Sequence, residues 1–208
     1  MQRQVRTTPR KRPRQSRSKD TVDAILDATA RVLVKRGFDG LTTNAVATAA
    51  GVSMGSLYQY FPNKTALVAA LLDRHVDEMN ASVLAELTRV AALPIAEAAR
   101  RVIELTIRAH AIDPELHRVL TEQVPRVGRL GKLRELAEIS NRMVAGLLAA
   151  RRKELAIRDP ELAAFLLVST IESIVHRAAF LDPQRLRDPR LVDEATLLVT
   201  RYLGVAEN

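Results

Sequence analysis

The stretch from Leu41 to Lys64 leaves the chain few options, because it encodes two helices too short to be stable alone and joined by almost nothing. Thr42 or Thr43 is placed to cap a first helix whose Val46, Ala47 and Ala50 lie at i, i+1 and i+4, and Gly51 stops it. Ser53 is placed to cap a second helix, which Pro62 ends. A pair of this kind, with a glycine in its turn and a third helix in support, is a DNA-reading helix-turn-helix.

Helical patterning extends over the rest of the chain. With 47% hydrophobic residues, 208 residues can fill a real core, and 3% aromatics with no Trp favours helices over sheets. An all-α fold of about nine helices is expected. No Cys is present, which excludes disulfides, thiolate metal sites and a Cys nucleophile. The amino terminus has no apolar run of the signal-peptide type, and the most apolar stretch, Leu162 to Leu181, carries Glu172, His176 and Arg177. A soluble, cytoplasmic and nucleoid-associated protein with no membrane partner is expected.

The formal charge of +8 is localised. Residues 1–19 hold eight bases and no acid, and the remainder holds 24 bases against 24 acids. Residues 1–17 therefore read as a disordered, arginine-rich arm in which Pro9 and Pro13 prevent packing, and Arg10, Lys11, Arg12, Arg14 and Arg17 are its candidate contacts to a DNA backbone. A solubilising tail without a partner is the alternative.

Helix 1 is expected from Ser18 to Asp20 onward, with Val22, Ile25, Leu26, Thr29 and Leu33 on one face and a stop at Gly37. Phe38 and Leu41 flank the turn that follows. Residues 18–64 thus form the DNA-binding domain. Asn63 caps a longer linking helix over 63–92, and residues 65–208 make a second helical domain. In that part, Asp113-Pro114, Asp159-Pro160 and Asp188-Pro189 each place a capping carboxylate before a proline at the first helical position. Pro125, Gly128 and Gly131 are expected to break the chain between a short helix (Glu115 to Val124) and a long one (Lys132 to Leu155).

The helix from Leu162 to Leu181 is apolar almost all round and needs cover on more than one side. Phe165, Ile171 and Val175 on it, with Leu191, Ala195, Leu198 and Tyr202 on the last helix, are the candidate homodimer interface, a four-helix contact with the symmetry mate. A central core helix in a monomer is the alternative.

Residues 18–72 resemble the amino-terminal DNA-binding domain of the TetR family of bacterial transcriptional regulators. The matching text is Ile25-Leu26-Asp27-Ala28, Gly37-Phe38, Leu41-Thr42-Thr43, Val46-Ala47, Ala50-Gly51-Val52-Ser53, and Gly55 through Lys64 (Gly-Ser-Leu-Tyr-Gln-Tyr-Phe-Pro-Asn-Lys) followed by Leu67. The carboxy-terminal two-thirds resembles the family only in length, helix count and an apolar penultimate helix.

The resemblance implies roles that helical geometry can test. At about 100° per residue from Ser53, Leu57 and Phe61 fall on one side and Gly55, Ser56 and Gln59 on the other. Gln59 is suited to bidentate reading of adenine, Ser56 to a base or phosphate, Gly55 to close backbone approach and Met54 to a thymine methyl. By resemblance Tyr58, Tyr60, Lys64 and the Thr43 end of the first helix contact phosphates, and Asn44 a base. Packing within the protein is the other role open to the tyrosines. Residues 20–64 carry four acids and four bases, so the arm is expected to supply sequence-independent affinity on backbone or minor groove.

The family further implies a repressor that reads a palindromic double-stranded DNA operator as a dimer and is released by a small-molecule effector, as yet unidentified, with no cofactor and no metal. Candidate pocket residues are His110, His117, Glu122, Gln123, Asn141, Met143, Glu172 and His176, polar or soft groups on otherwise apolar helices. The same groups would serve a helical enzyme, but no Glu-x-x-His pair, HExxH, phosphate-binding glycine loop or Gly-x-Ser-x-Gly is present. A helical protein-interaction scaffold is the remaining alternative.

Overall fold

A computed structural model describes residues 16–205, with the side chains of residues 16, 17, 124 and 125 undescribed. The arm residues Arg10, Lys11, Arg12 and Arg14 lie outside these bounds, and Arg17 enters only through its helical backbone. Among the described residues there are nine α-helices and no strand: α1 (Ser16–Gly40), α2 (Thr43–Ala50), α3 (Met54–Tyr60), α4 (Lys64–Arg89), α5 (Ile95–Ala111), α6 (Pro114–Val127), α7 (Leu130–Ala150), α8 (Pro160–Leu181) and α9 (Pro189–Leu203). The all-α reading holds.

The chain forms two compact units. Among the described residues the first comprises 16–76 and 115–131, the second 77–114 and 132–205. The dividing line therefore differs from a break after residue 64, because the first half of α4 and α6 from Glu115 onward group with the helix-turn-helix.

In the first unit, α1 buries Ile25, Leu26, Ala28, Thr29, Val32 and Leu33, close to the face expected. Thr29 is tolerated there because its hydroxyl donates to the carbonyl of Ile25 at 2.8 Å. Helical geometry fails inside α1 at Gly37, which takes φ 65°, a value glycine reaches without steric cost. Leu41 and Val46 are fully buried, and α2 packs directly on α1. The first half of α4 follows with Ala66, Leu67, Val68, Ala69, Leu71 and Leu72 in the core. Helix α6 runs through Pro125 to Val127 before Gly128 turns at φ 68°. Near the end of a helix a proline forfeits one backbone hydrogen bond, and the flanking turns hold the segment helical.

In the second unit, α5 packs on α8 and α9. The core is built from Ile103, Ile107, Leu148, Ala163, Ala164, Leu167, Val175, Ala178, Ala179, Ala195, Val199 and Leu203. Asp159 and Asp188 cap α8 and α9 as their sequence implies, accepting from the backbone of Leu162 and Arg190 at 3.0 Å. Helix α7 starts at Leu130, so Gly131 lies inside it. By length and composition α8 could cross a membrane, with a mean hydropathy of 1.5 over its most apolar window. Its alanine-rich face instead lies in the core of this unit.

Candidate nucleic-acid interface

Three caps shape the reading unit. Thr42, not Thr43, caps α2 by accepting from the Ala45 N–H at 3.1 Å. Gly51 ends that helix at φ 67° and donates back to Ala47 and Thr48. Ser53 Oγ accepts from the Ser56 N–H at 3.1 Å, and Asn63 Oδ1 from the Ala66 N–H at 2.8 Å. Each of the three side-chain caps satisfies a helix-end donor and fixes the direction in which its helix departs, while Gly51 satisfies helix-end carbonyls.

Recognition helix α3 has a buried side and an open side. Leu57 and Phe61 are 0% and 1% exposed, whereas Gly55 and Gln59 are exposed and Ser56 half-exposed. The outward trio expected from helical stepping is therefore presented to solvent. Ser53 and Asn44 are exposed as well, and Met54 and Thr43 partly so. The Ser56 hydroxyl lies 3.0 Å from the Ser53 hydroxyl, which pre-orients it.

The residues assigned to phosphates divide. Tyr58 is 40% exposed, and its hydroxyl lies 3.1 Å from Thr43 Oγ1, tying the start of α2 to α3 at a surface where both hydroxyls can also meet an anion. Tyr60 is only 8% exposed and belongs to the core. The same helical stepping puts it about 40° from outward Ser56 and about 60° from inward Leu57, on the boundary of the two sides, so spacing alone leaves its burial open. Lys64 is engaged within the protein: Nζ donates to the carbonyls of Phe38 at 2.9 Å and Asp39 at 3.3 Å. It also lies 4.8 Å from the centre of the Phe38 ring.

Contributors that no local pattern marks are arginines. Arg31 donates from α1 to the Ala49 carbonyl at 3.1 Å, bracing the end of α2. Arg74 pairs with Asp27 at 2.7 Å, linking α4 to α1. Arg129 pairs with Asp73 at 2.8 Å, and Arg126 lies 3.5 Å from the Asp39 carboxylate and 5.6 Å from the Phe38 ring centre. The charge balance of residues 20–64 hides these internal commitments.

With this geometry, the comparisons are specific. Residues 25–71 match the family described as bacterial regulatory proteins, tetR family, and residues 94–203 match the tetracyclin repressor-like C-terminal domain. The chain belongs to the tetR family of bacterial regulatory proteins. Like the family, it is a DNA-binding transcriptional regulator and not an enzyme. It is 40% identical over 57 residues to the transcriptional repressor KstR of Mycolicibacterium smegmatis, a match covering 27% of this chain and 28% of KstR. It is 26% identical over 190 residues to the regulator BetI of Cronobacter sakazakii, covering 86% and 87% of the two chains. A TetR-family structure from Mesorhizobium loti superposes with a TM-score of 0.72 at 19% identity, covering 90% of this chain and 98% of that one, which shows the shared fold.

In the second unit of this tetR-family chain, three of the pocket candidates are polar groups in partly buried surroundings. His110 on α5 is buried, with Nδ1 2.8 Å from the Thr106 carbonyl, a contact that makes Nδ1 the protonated nitrogen in the neutral ring. The His176 ring meets it edge-on, with centres 5.1 Å apart. Burial pushes the Glu172 carboxyl above its ordinary range. Burial also lowers the His176 pKa, partly offset by a hydrogen bond to the Glu172 backbone. Asn141 and Met143 are half-buried on α7.

His117 and Glu122 belong to the first unit. There His117 Nδ1 lies 3.0 Å from His75 Nε2, and Glu122 pairs on the surface with Arg118 at 2.8 Å. Gln123 is buried in that unit. Of the dimer candidates, Phe165, Leu198 and Tyr202 are exposed, Ile171 and Leu191 are partly buried, and Val175 and Ala195 lie in the core of the second unit. Val175 and Ala195 lie in one core with Ile103 and Ile107 of α5 and with Leu167, Val199 and Leu203 of their own helices.

Proposed function

We propose that the chain is a repressor that reads a two-fold symmetric operator as a homodimer and leaves it when a small molecule binds the second unit. The observation that carries the reading is α3, whose apolar side is sealed while Gly55, Ser56 and Gln59 face solvent at the spacing of major-groove contacts. Dimerisation is supported by Leu162, Phe165, Leu166, Leu198 and Tyr202, large apolar side chains left uncovered on the last two helices. Two such surfaces brought together by a two-fold axis remove that area from water.

The effector reading is supported by His110, Glu172 and His176, polar groups among the aliphatic side chains of α5 and α8. They suit a small molecule with an apolar body and a hydrogen-bonding end. Such a molecule releases the operator only by its difference in affinity between the two states of the protein. The regulator acts in the cytoplasm, on the nucleoid. The arginine-rich arm adds sequence-independent affinity along the flanking backbone.

In vitro selection from a random duplex library with the full-length protein tests this. A selected sequence with two inverted half-sites, bound by a dimer in sedimentation, is the expected result. Selection of a single half-site by a monomer overturns it. Native mass spectrometry of the purified protein then looks for a retained molecule that lowers operator affinity.

A further inference from the structure

The turn between α1 and α2 is held by two cations from outside the helix-turn-helix. Helix α1 ends at Gly40, so the carbonyls of Phe38 and Asp39, in its last turn, have no helical N–H four residues on to satisfy them. Lys64, at the first position of α4, donates to both. Its ammonium has three donors, so two are committed here, and the cation also sits at 4.8 Å from the centre of the Phe38 ring. Arg126 approaches the same ring at 5.6 Å and the Asp39 carboxylate at 3.5 Å from α6.

This turn fixes the pose of the reading helices. Leu41, the residue after it, is fully buried, and α2 starts two residues further on. From α2 the Thr43 and Tyr58 hydroxyls carry the geometry to α3. A shift of the Phe38 turn therefore becomes a shift of Gln59 and Ser56 against the bases. A lysine released to reach a phosphate would leave two carbonyls without their donor.

We propose that Lys64 and Arg126 are positioning residues for operator reading, acting through Phe38 and Asp39 and not on the DNA itself. Arg126 thereby makes α6, which lies in the span of the C-terminal family domain, a determinant of operator affinity.

The experiment measures binding of the full-length protein to two duplexes across a salt series: the sequence selected from a random library by the wild type, and an unrelated duplex of equal length. Active protein is counted by stoichiometric titration. Lys64→Met and Arg126→Met are each expected to weaken the selected duplex by about tenfold at every salt concentration. The log–log salt slope and the affinity for the unrelated duplex are expected to stay as in the wild type. Lys64→Arg restores binding, and the double variant loses less than the product of the single losses, because both cations act on one ring.

A Lys64→Met protein that weakens both duplexes alike, with a slope reduced by about 0.9 per subunit, places the lysine on a phosphate and overturns the proposal. Wild-type binding by Arg126→Met overturns it equally. If Lys64→Met does not fold, Arg126→Met decides by the same criteria, because its side chain is exposed and its loss leaves the core intact.

Discussion

Helix α3 has seven residues, of which Leu57 and Tyr60 are buried, whereas α8 has 22, of which Ala163, Ala164, Leu167, Val175, Ala178 and Ala179 are buried. The short helix is held by directed bonds: the Ser53 cap at its start, the Asn63 cap just beyond its end and the Tyr58 tie to Thr43. The long helix is held by contact area, its four alanines with Leu167 and Val175 lying in one core with Ile103 and Ile107 of α5. A hydrogen bond fixes distance and angle, and apolar contact fixes neither so tightly. A surface that must match the spacing of base edges is thus built from the first kind, and one that binds by burying apolar area from the second.

Four substitutions test this contrast, in descending order of effect. Leu57→Ala removes the apolar anchor of α3 and is expected to cost about 3 kcal/mol in denaturant unfolding and to abolish operator binding. A loss below about 1 kcal/mol would mean the caps alone hold α3, making the contrast sharper than drawn. In the second unit, Gly204 takes φ 72°, and a Cβ there would stand 2.4 Å from the Ala156 Cβ. Gly204→Ala is accordingly expected to cost about 2 kcal/mol with DNA reading in the folded fraction unchanged.

Ser53→Ala is expected to cost about 1 kcal/mol of stability yet to lower operator affinity more than the stability loss explains, because it also frees the Ser56 hydroxyl. Affinity falling only in step with the folded fraction would remove the distinction between fixing a direction and merely stabilising. The smallest effect is expected from Glu172→Gln. Burial raises the Glu172 pKa, so its favourable contribution is complete below the ordinary carboxylate range and is lost as pH rises through the raised value. The glutamine variant should melt higher than wild type at pH 8, with the difference vanishing in acid. A difference independent of pH would mean that the carboxyl is not held in a water-poor place.

Local features were legible and distant ones were not. Asp159, Asp188, Ser53 and Asn63 cap helices where their spacing says, because a cap and its N–H lie two or three residues apart. The inward and outward sides of α3 follow from helical stepping, whereas Tyr60 falls on the boundary between them and is buried by packing that spacing does not encode. The partners of Lys64 and Arg126, 26 and 87 residues away, are fixed by packing and leave no trace in spacing. Pro125 looks like a helix breaker because propensity is local, whereas its helix is maintained by the unit around it. The pocket candidates rest on polar residues within apolar helices, a signal that does not distinguish His110 from the surface pair of Glu122 and Arg118.

The first unit is discontinuous in sequence: it closes at residue 76, leaves, and is completed only by residues 115–131. On the ribosome, the helix-turn-helix emerges long before the residues that finish its packing. A nascent chain that ends after α4 lacks Arg126, Arg129 and His117, and with them one tie to the Phe38 turn, one ion pair of Asp73 and one contact of His75. A fragment cut at the end of α4 is therefore expected to hold its reading head less firmly than the whole chain does.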